Sequence, residues 1–188
     1  MARYSDRLQP VVSTIEKLET AIGERRYLVG QAGPFAVVQV YADGFDQLTP
    51  RERLLAYHLA EAGIAGDPIY YDQIADYGLE LKQLLEGIWT HPDGIDAAAL
   101  AKIRSYTQLV WIQHGNYNLD SSRKFLPEFT PAELQAAARR AHDNGADSPP
   151  ALDTLLERLS RPIFDANYKP TLTVKAPPAG QDKLTASG

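Results

Sequence analysis

The sequence predicts a mainly α protein: a helical, bundle-like body with a short strand near residues 35–41 and an extended C-terminal arm. Three observations carry that prediction. Apolar residues recur at three- and four-residue steps over several long windows. Two Thr-Pro-x-Glu strings announce helix starts. One segment alone, FAVVQVY, has the β-branched and aromatic enrichment of a strand.

In chain order, Ser5–Ile22 places Leu8, Val11, Val12, Ile15, Leu18 and Ile22 along one face of an amphipathic helix that Gly23 can end. Gly30–Gly33 (GQAG) reads as a turn, and Phe35–Tyr41 as a strand or an extended segment against the helices. At Thr49-Pro50-Arg51-Glu52, the threonine can accept from a first-turn amide, the proline needs no donor, and the glutamate can reach back to the cap. The helix it opens is expected to run to Gly63, followed by a short one at Pro68–Asp76, a longer one at Gly78–Trp89 and the longest at Asp96–His114. The capping device recurs at Thr130-Pro131-Ala132-Glu133, opening Ala132–Asp143 before Asn144-Gly145, and Ser148–Arg161 adds a last helix. After Pro162 the period disappears, so the chain divides into a helical body, 1–163, and an arm, 164–188.

Composition narrows the functional classes. A formal net charge of -5 over 188 residues argues against a phosphate-binding surface, so nucleic acid is not an expected partner. The chain has no cysteine, which removes disulfides, thiolate nucleophiles and Cys-type zinc sites together. No window approaches the length of a membrane helix and the N-terminus lacks the apolar core of a secretory signal, so a cytoplasmic protein without membrane association is expected.

The search for catalytic groups is mostly negative. No two of His58, His91, His114 and His142 have the i, i+4 spacing that presents two imidazoles to one metal, and no metal site is expected within the chain. His58, among Leu54, Leu55 and Leu59, reads as a hydrogen-bonded residue at the core edge, and His91 and His142 read as exposed. Asp43 with Asp46, and Asp72, Asp76 and Glu80, read as solvated acidic faces, since neither set has the remaining ligands of a calcium loop. Tyr70, Tyr71, Tyr77, Trp89 and Trp111 read as interhelical packing, with a peptide groove as the alternative.

One run stands apart. In Leu109–Pro127 an apolar helical stripe breaks into His114-Gly115-Asn116-Tyr117-Asn118, then Asp120, Ser121 and Ser122, and returns through Lys124-Phe125-Leu126-Pro127. Two readings stay open: a helix end whose side chains cap carbonyls and turns, or a polar wall that bonds the main chain of an extended ligand. His114, Gly115, Asn116 and Tyr117 are the candidate ligand-facing residues; none is a candidate catalyst.

The strings FDQLTPRERLLAYHLAEAGIAGDPIYYDQ, LELKQLLEGIW, WIQHGNYNLDSSRKFLPEFTPAEL and DANYKPTLTVKAPPAGQDKLTAS, in that order, resemble the N-terminal region of the dipeptidyl peptidase III family of zinc exopeptidases. The resemblance implies the helical portion of the zinc-free lobe of a two-lobed enzyme that releases dipeptides from the N-terminus of oligopeptides. The substrate would lie between the lobes, with His114 to Tyr117 nearest the cleft. It also implies a small β-barrel built from later sequence, without which some apolar surface stays uncovered.

The family's H-E-x-x-G-H zinc motif and its downstream glutamate are absent here: His58 is followed by Leu-Ala-Glu and His114 by Gly-Asn-Tyr. The chain alone is therefore expected to be inactive. Its cofactor zinc and catalytic groups are expected in the remainder of a longer parent protein, with oligopeptide as substrate. The rival is a complete, non-catalytic helical module that binds peptide in the same groove.

Overall fold

The computed structural model describes residues 25–33, 35–147 and 151–172. The expected helix Ser5–Ile22, the segment Ser148–Pro150 and the arm beyond Leu172 lie outside the described residues. Contacts divide the chain into two compact units, Met1–Ile69 and Tyr70–Gly188. Among the described residues the structure is mainly helical, with a small two-stranded sheet.

In the first unit, β1 (Leu28–Ala32) pairs antiparallel with β2 (Phe35–Val38), with an irregularity between Leu28 and Gly30. The strand expected at Phe35–Tyr41 therefore stops at Val38, and GQAG is not simply a turn: Gly30, Gln31 and Ala32 belong to β1, and the reversal falls at Gly33, whose φ is 52°. Beyond the strands the two flanking segments stay together. The Gln39 amide donates to Tyr27 O at 2.7 Å, the Tyr41 hydroxyl donates to Arg26 O at 2.9 Å, and the Tyr27 and Tyr41 rings meet edge to face at 5.3 Å. Arg25 pairs with Asp43, which joins the base of the hairpin to the stretch that leads into the first helix.

That helix, α1 (Pro50–Ile74), is opened by the expected capping box: Glu52 accepts the Thr49 amide at 2.8 Å and the Thr49 hydroxyl accepts the Glu52 amide at 3.4 Å. It does not stop at Gly63. The two helices expected at 50–63 and 68–76 are one, because neither Gly63 nor Gly66 adopts a positive φ and Pro68 is accommodated inside the helix. His58 is exposed rather than at a core edge, because residues 50–65 have no buried face among the described residues; Leu54, Leu55, Leu59 and Ile69 are 58, 57, 63 and 58% exposed.

The second unit holds the core. It is built by α2 (Gly78–Thr90), α3 (Ala97–Gln113), α4 (Pro131–Asp143) and α5 (Leu152–Phe164), close to the bounds expected from periodicity and caps. α2 packs on α3 and α4, and α4 on α3 and α5. The facing residues keep helical spacing: Leu81, Leu84, Leu85 and Ile88; Ile103, Tyr106 and Val110; Leu134, Ala137, Ala138 and Ala141; Leu155, Leu156, Leu159 and Ile163. Three alanines on α4 let its neighbours approach closely.

The helix ends are chemically explicit. Asp96 caps α3 by accepting the Ala99 amide at 2.9 Å, Thr130 and Glu133 form a reciprocal box on α4, and Gly145 leaves α4 with φ 95°. Gly78 opens α2 against the end of α1, where a Cβ would lie 2.2 Å from the Tyr71 carbonyl oxygen, so only glycine fits. Pro162 sits within α5, whose last turn continues to Phe164; Phe164 and Leu172 then pack on the core, so the first residues of the arm are anchored. No helix among the described residues is long and apolar enough to cross a membrane.

Candidate functional site

The run Leu109–Pro127 folds into a knot with two distant segments. α3 ends at His114, in the left-handed conformation with φ 52°, where the His114 and Gly115 amides both donate to Val110 O, the latter at 3.0 Å. The chain then loops back on itself through a bridge between Tyr117 and Lys124, with Asn118 N–H on Arg123 O at 2.8 Å and Phe125 N–H on Asn116 O at 3.1 Å. Inside the loop, Asn118 Oδ1 accepts from the Ser121 amide at 2.7 Å and its hydroxyl at 2.9 Å, and Gln113 Oε1 accepts the Leu119 amide at 2.8 Å.

Residues 165–172 add a third layer. Lys124 N–H donates to Pro170 O and Leu172 N–H to Ser122 O, each at 2.9 Å, around a bridge between Arg123 and Thr171. The Lys124 ammonium donates to the carbonyl oxygens of Asp165, at 3.2 Å, and Tyr168. Burial holds its pKa below the usual lysine value. The Tyr168 ring is flanked by Arg161, Lys124 and Lys169, whose charged groups lie 4.5, 5.3 and 5.7 Å from its centroid.

At the centre is Asn116, fully buried. Its Oδ1 accepts from the Tyr77 hydroxyl at 3.0 Å and its Nδ2 donates to Pro162 O at 3.1 Å. The Tyr77 and Tyr117 hydroxyls lie 3.3 Å apart, and Tyr117 donates to Lys169 O at 2.8 Å. Burial pushes the pKa of both tyrosines up, which keeps them neutral donors. Pro162 O is among the last carbonyls of α5, so Asn116 satisfies an acceptor the helix itself leaves open.

The four sequence candidates are thus brought together but do different things. Gly115, Asn116 and Tyr117 are buried, and the polar groups of Asn116 and Tyr117 bond to protein. A Cβ on Gly115 would meet Ile74 Cγ2 at 3.1 Å. Of the four, His114 alone has surface: its half-buried ring lies 5.1 Å from Tyr70, which is exposed, and 5.5 Å from Tyr71, which is buried. Of the aromatic set, Tyr71 and Tyr77 are core, and Trp89 and Trp111 are half-buried partners at 4.8 Å.

Sequence reasoning read Tyr77 as interhelical packing and gave neither Pro162 nor Tyr168 a role at the site. Nothing in the local pattern of Tyr77 signals a hydroxyl that reaches Asn116 thirty-nine positions on. Beside the knot a cavity of about 190 Å³ is lined by Asp76, Tyr77, Arg158, Arg161, Pro162 and Tyr168. Its charges are paired: Arg158 with Glu80, Arg161 with Asp165 at 3.4 Å, and Lys169 with Asp76 at 3.4 Å.

Zinc does not fit here. Among the described residues no three His, Asp or Glu side chains gather into a group that could hold a metal ion. The sequence matches no protein-family model and no curated protein.

Proposed function

We propose that this chain is the N-terminal, substrate-cleft part of a zinc-dependent dipeptidyl peptidase, with zinc and the catalytic groups supplied by sequence outside it. The single observation that carries this reading is where backbone strain is stored. Among the described residues the non-glycine residues with positive φ are His114, Ser122 and Lys169, at 52, 58 and 44°. All three lie in the knot, within the HGNYNLDSSRKFLP and DANYKPTL strings that carry the family resemblance.

Such conformations cost about 1–3 kcal/mol each and persist only where the surroundings over-determine them, which is characteristic of functional sites. Asn116, Tyr117 and Lys124 supply that over-determination and serve as positioning residues. His114, with the exposed Tyr70 ring beside it, offers an aromatic ledge on which an extended peptide can lie. Tyr77, Asn116, Tyr117 and Lys124 spend their polar groups on one another and on carbonyl oxygens, so their part in this reading is to hold the loop, with bond cleavage assigned to groups outside the chain.

The test is kinetic and uses the protein encoded by the whole reading frame. Dipeptidyl-arylamide hydrolysis should require zinc, and His114→Ala should raise KM several-fold with a smaller effect on kcat. An unchanged KM would remove His114 from the cleft. A reading frame that ends at Gly188 would favour the non-catalytic peptide-binding module instead.

A further inference from the structure

α3 opens on Ala97-Ala98-Ala99 and α4 carries Ala136-Ala137-Ala138, so where the first turn of α3 meets α4 the facing side chains are too short to fill the space between them. The gap is a cavity of about 330 Å³, floored by Ile95, Ala99, Ala136 and Ala137. That volume lies at the small end of the range of ligand pockets, which combine apolar walls with a few placed polar groups.

Two charged groups line the same cavity, and protein meets neither charge. Arg140 lies against Gly94: a Cβ there would come within 3.0 Å of its Nε and 3.3 Å of its Cζ and Nη2, so the missing side chain, at φ 72°, leaves room for the guanidinium. Among the described residues that guanidinium makes no hydrogen bond or ion pair, whereas its neighbour Arg139 is bound to Asp153 at 3.0 Å. On Asp96, Oδ1 accepts the Ala99 amide at 2.9 Å and Oδ2 has no partner among the described residues. Asp96 and Arg140 do not pair with each other. Glu133, the other charged lining group, is different: Lys102 at 2.8 Å and the Thr130 amide at 2.6 Å engage both of its oxygens.

We infer that this cavity binds a free α-amino acid with an apolar side chain. Such a zwitterion carries its carboxylate and ammonium on one carbon, which matches a cation and an anion that share one cavity without bonding to each other. The carboxylate meets the Arg140 guanidinium, the ammonium meets Asp96 Oδ2, and the side chain leaves water for the alanine floor. Charge complementarity selects against simpler occupants. A plain carboxylate or a plain amine answers one group and leaves the other unmet, and a polar side chain finds no partner on the floor. The inference is independent of the peptidase reading, and its test involves no peptide cleavage.

Titration of the 188-residue chain with L-leucine, followed by amide nuclear magnetic resonance, tests it. Three analogues each lack one feature: L-leucinamide the carboxylate, N-acetyl-L-leucine the ammonium, and L-serine the apolar side chain. L-Leucine should shift the amides of Gly94, Ala99 and Ala137 with a Kd on the order of 1 mM, as expected for so small a ligand. Each analogue should bind at least ten-fold more weakly. Arg140→Met and Asp96→Asn should each weaken leucine binding at least ten-fold, and because asparagine caps as well as aspartate the second variant keeps α3 capped. Ala136→Leu, at an exposed position, should fill the cavity and abolish binding without lowering Tm. Amides that do not respond to millimolar leucine would overturn the proposal, as would equal affinity for leucinamide or N-acetyl-leucine, or undiminished binding by the Arg140→Met protein.

Discussion

Asn116 and Pro162, forty-six positions apart, are joined by a buried hydrogen bond of 3.1 Å from the asparagine amide to the proline carbonyl. The same side chain accepts from Tyr77 at 3.0 Å, so one amide ties the end of α3 to the start of α2 and the last turn of α5. Replacing it with leucine, of similar size, leaves a buried carbonyl and a buried hydroxyl without that partner. Asn116→Leu should therefore lower stability by about 2–4 kcal/mol. Urea unfolding followed by circular dichroism reads this, and a change below about 0.5 kcal/mol would show that the knot is not a structural centre.

Gly78 and Gly87 both lie in α2, yet the same substitution should act oppositely at the two. A methyl at Gly78 would sit 2.2 Å from the Tyr71 carbonyl oxygen, and backbone must move to admit it. A methyl at Gly87 meets Ala146 Cβ at 3.4 Å, ordinary contact. Gly78→Ala should cost about 2 kcal/mol or more, whereas Gly87→Ala should be neutral or stabilise by up to about 1 kcal/mol through helix propensity. The two urea midpoints, measured side by side, check the contrast.

Lys102 and Glu133 make the clearest acid-sensitive pair. The Lys102 ammonium, 2.8 Å from the Glu133 carboxylate, together with the amide and hydroxyl of Thr130, holds that carboxyl down to about 2. Because the folded value lies below the unfolded one, near 4.3 for a free glutamate, the pair's contribution is present above that unfolded value and fades as pH falls towards 2. Lys102→Met should flatten the loss of stability between about pH 4.5 and pH 2 and leave its shape at pH 6–8 unchanged. Thermal midpoints across that range test it; identical acid limbs for the two proteins would contradict it.

Tyr106 contrasts with Tyr117. The Tyr106 ring is packed between Phe125 and Phe129, at 5.5 and 5.4 Å, and its buried hydroxyl, which lies beside the Asn116 side chain, makes no well-formed hydrogen bond among the described residues. With no well-formed bond to lose, Tyr106→Phe is expected to change stability by less than about 1 kcal/mol. Tyr117→Phe gives up the bond to Lys169 O and should destabilise by about 1–2 kcal/mol. Denaturation of the two single variants decides the order.

What the sequence made legible was whatever depends on near neighbours. The caps at Thr49 and Thr130, the helices that became α2 to α5, and the role of Gly145 all rest on contacts within a few residues. The single helix α1 was split in expectation because Gly63 and Pro68 resemble breakers, yet both positions take helical backbone here. β1 was missed because Gly30 and the irregular pairing after Leu28 interrupt its alternation. At the candidate site, the run His114–Tyr117 was visible as a polar break in an apolar stripe. That the break is filled by Tyr77 and by the carbonyls of Pro162 and Lys169 depends on partners thirty-nine to fifty-two positions away, which no local pattern encodes.

Cleavage of an unblocked oligopeptide, followed by mass spectrometry, tests the proposal that this chain is the cleft-bearing part of a zinc dipeptidyl peptidase. Two proteins are compared, the product of the whole reading frame and the 188-residue chain, each with and without zinc. Expected are successive loss of dipeptides from the N-terminus by the whole product with zinc, abolished by chelation, and no cleavage by the 188-residue chain. Absence of dipeptide release from the zinc-loaded whole product, or metal-dependent release by the short chain alone, would contradict it.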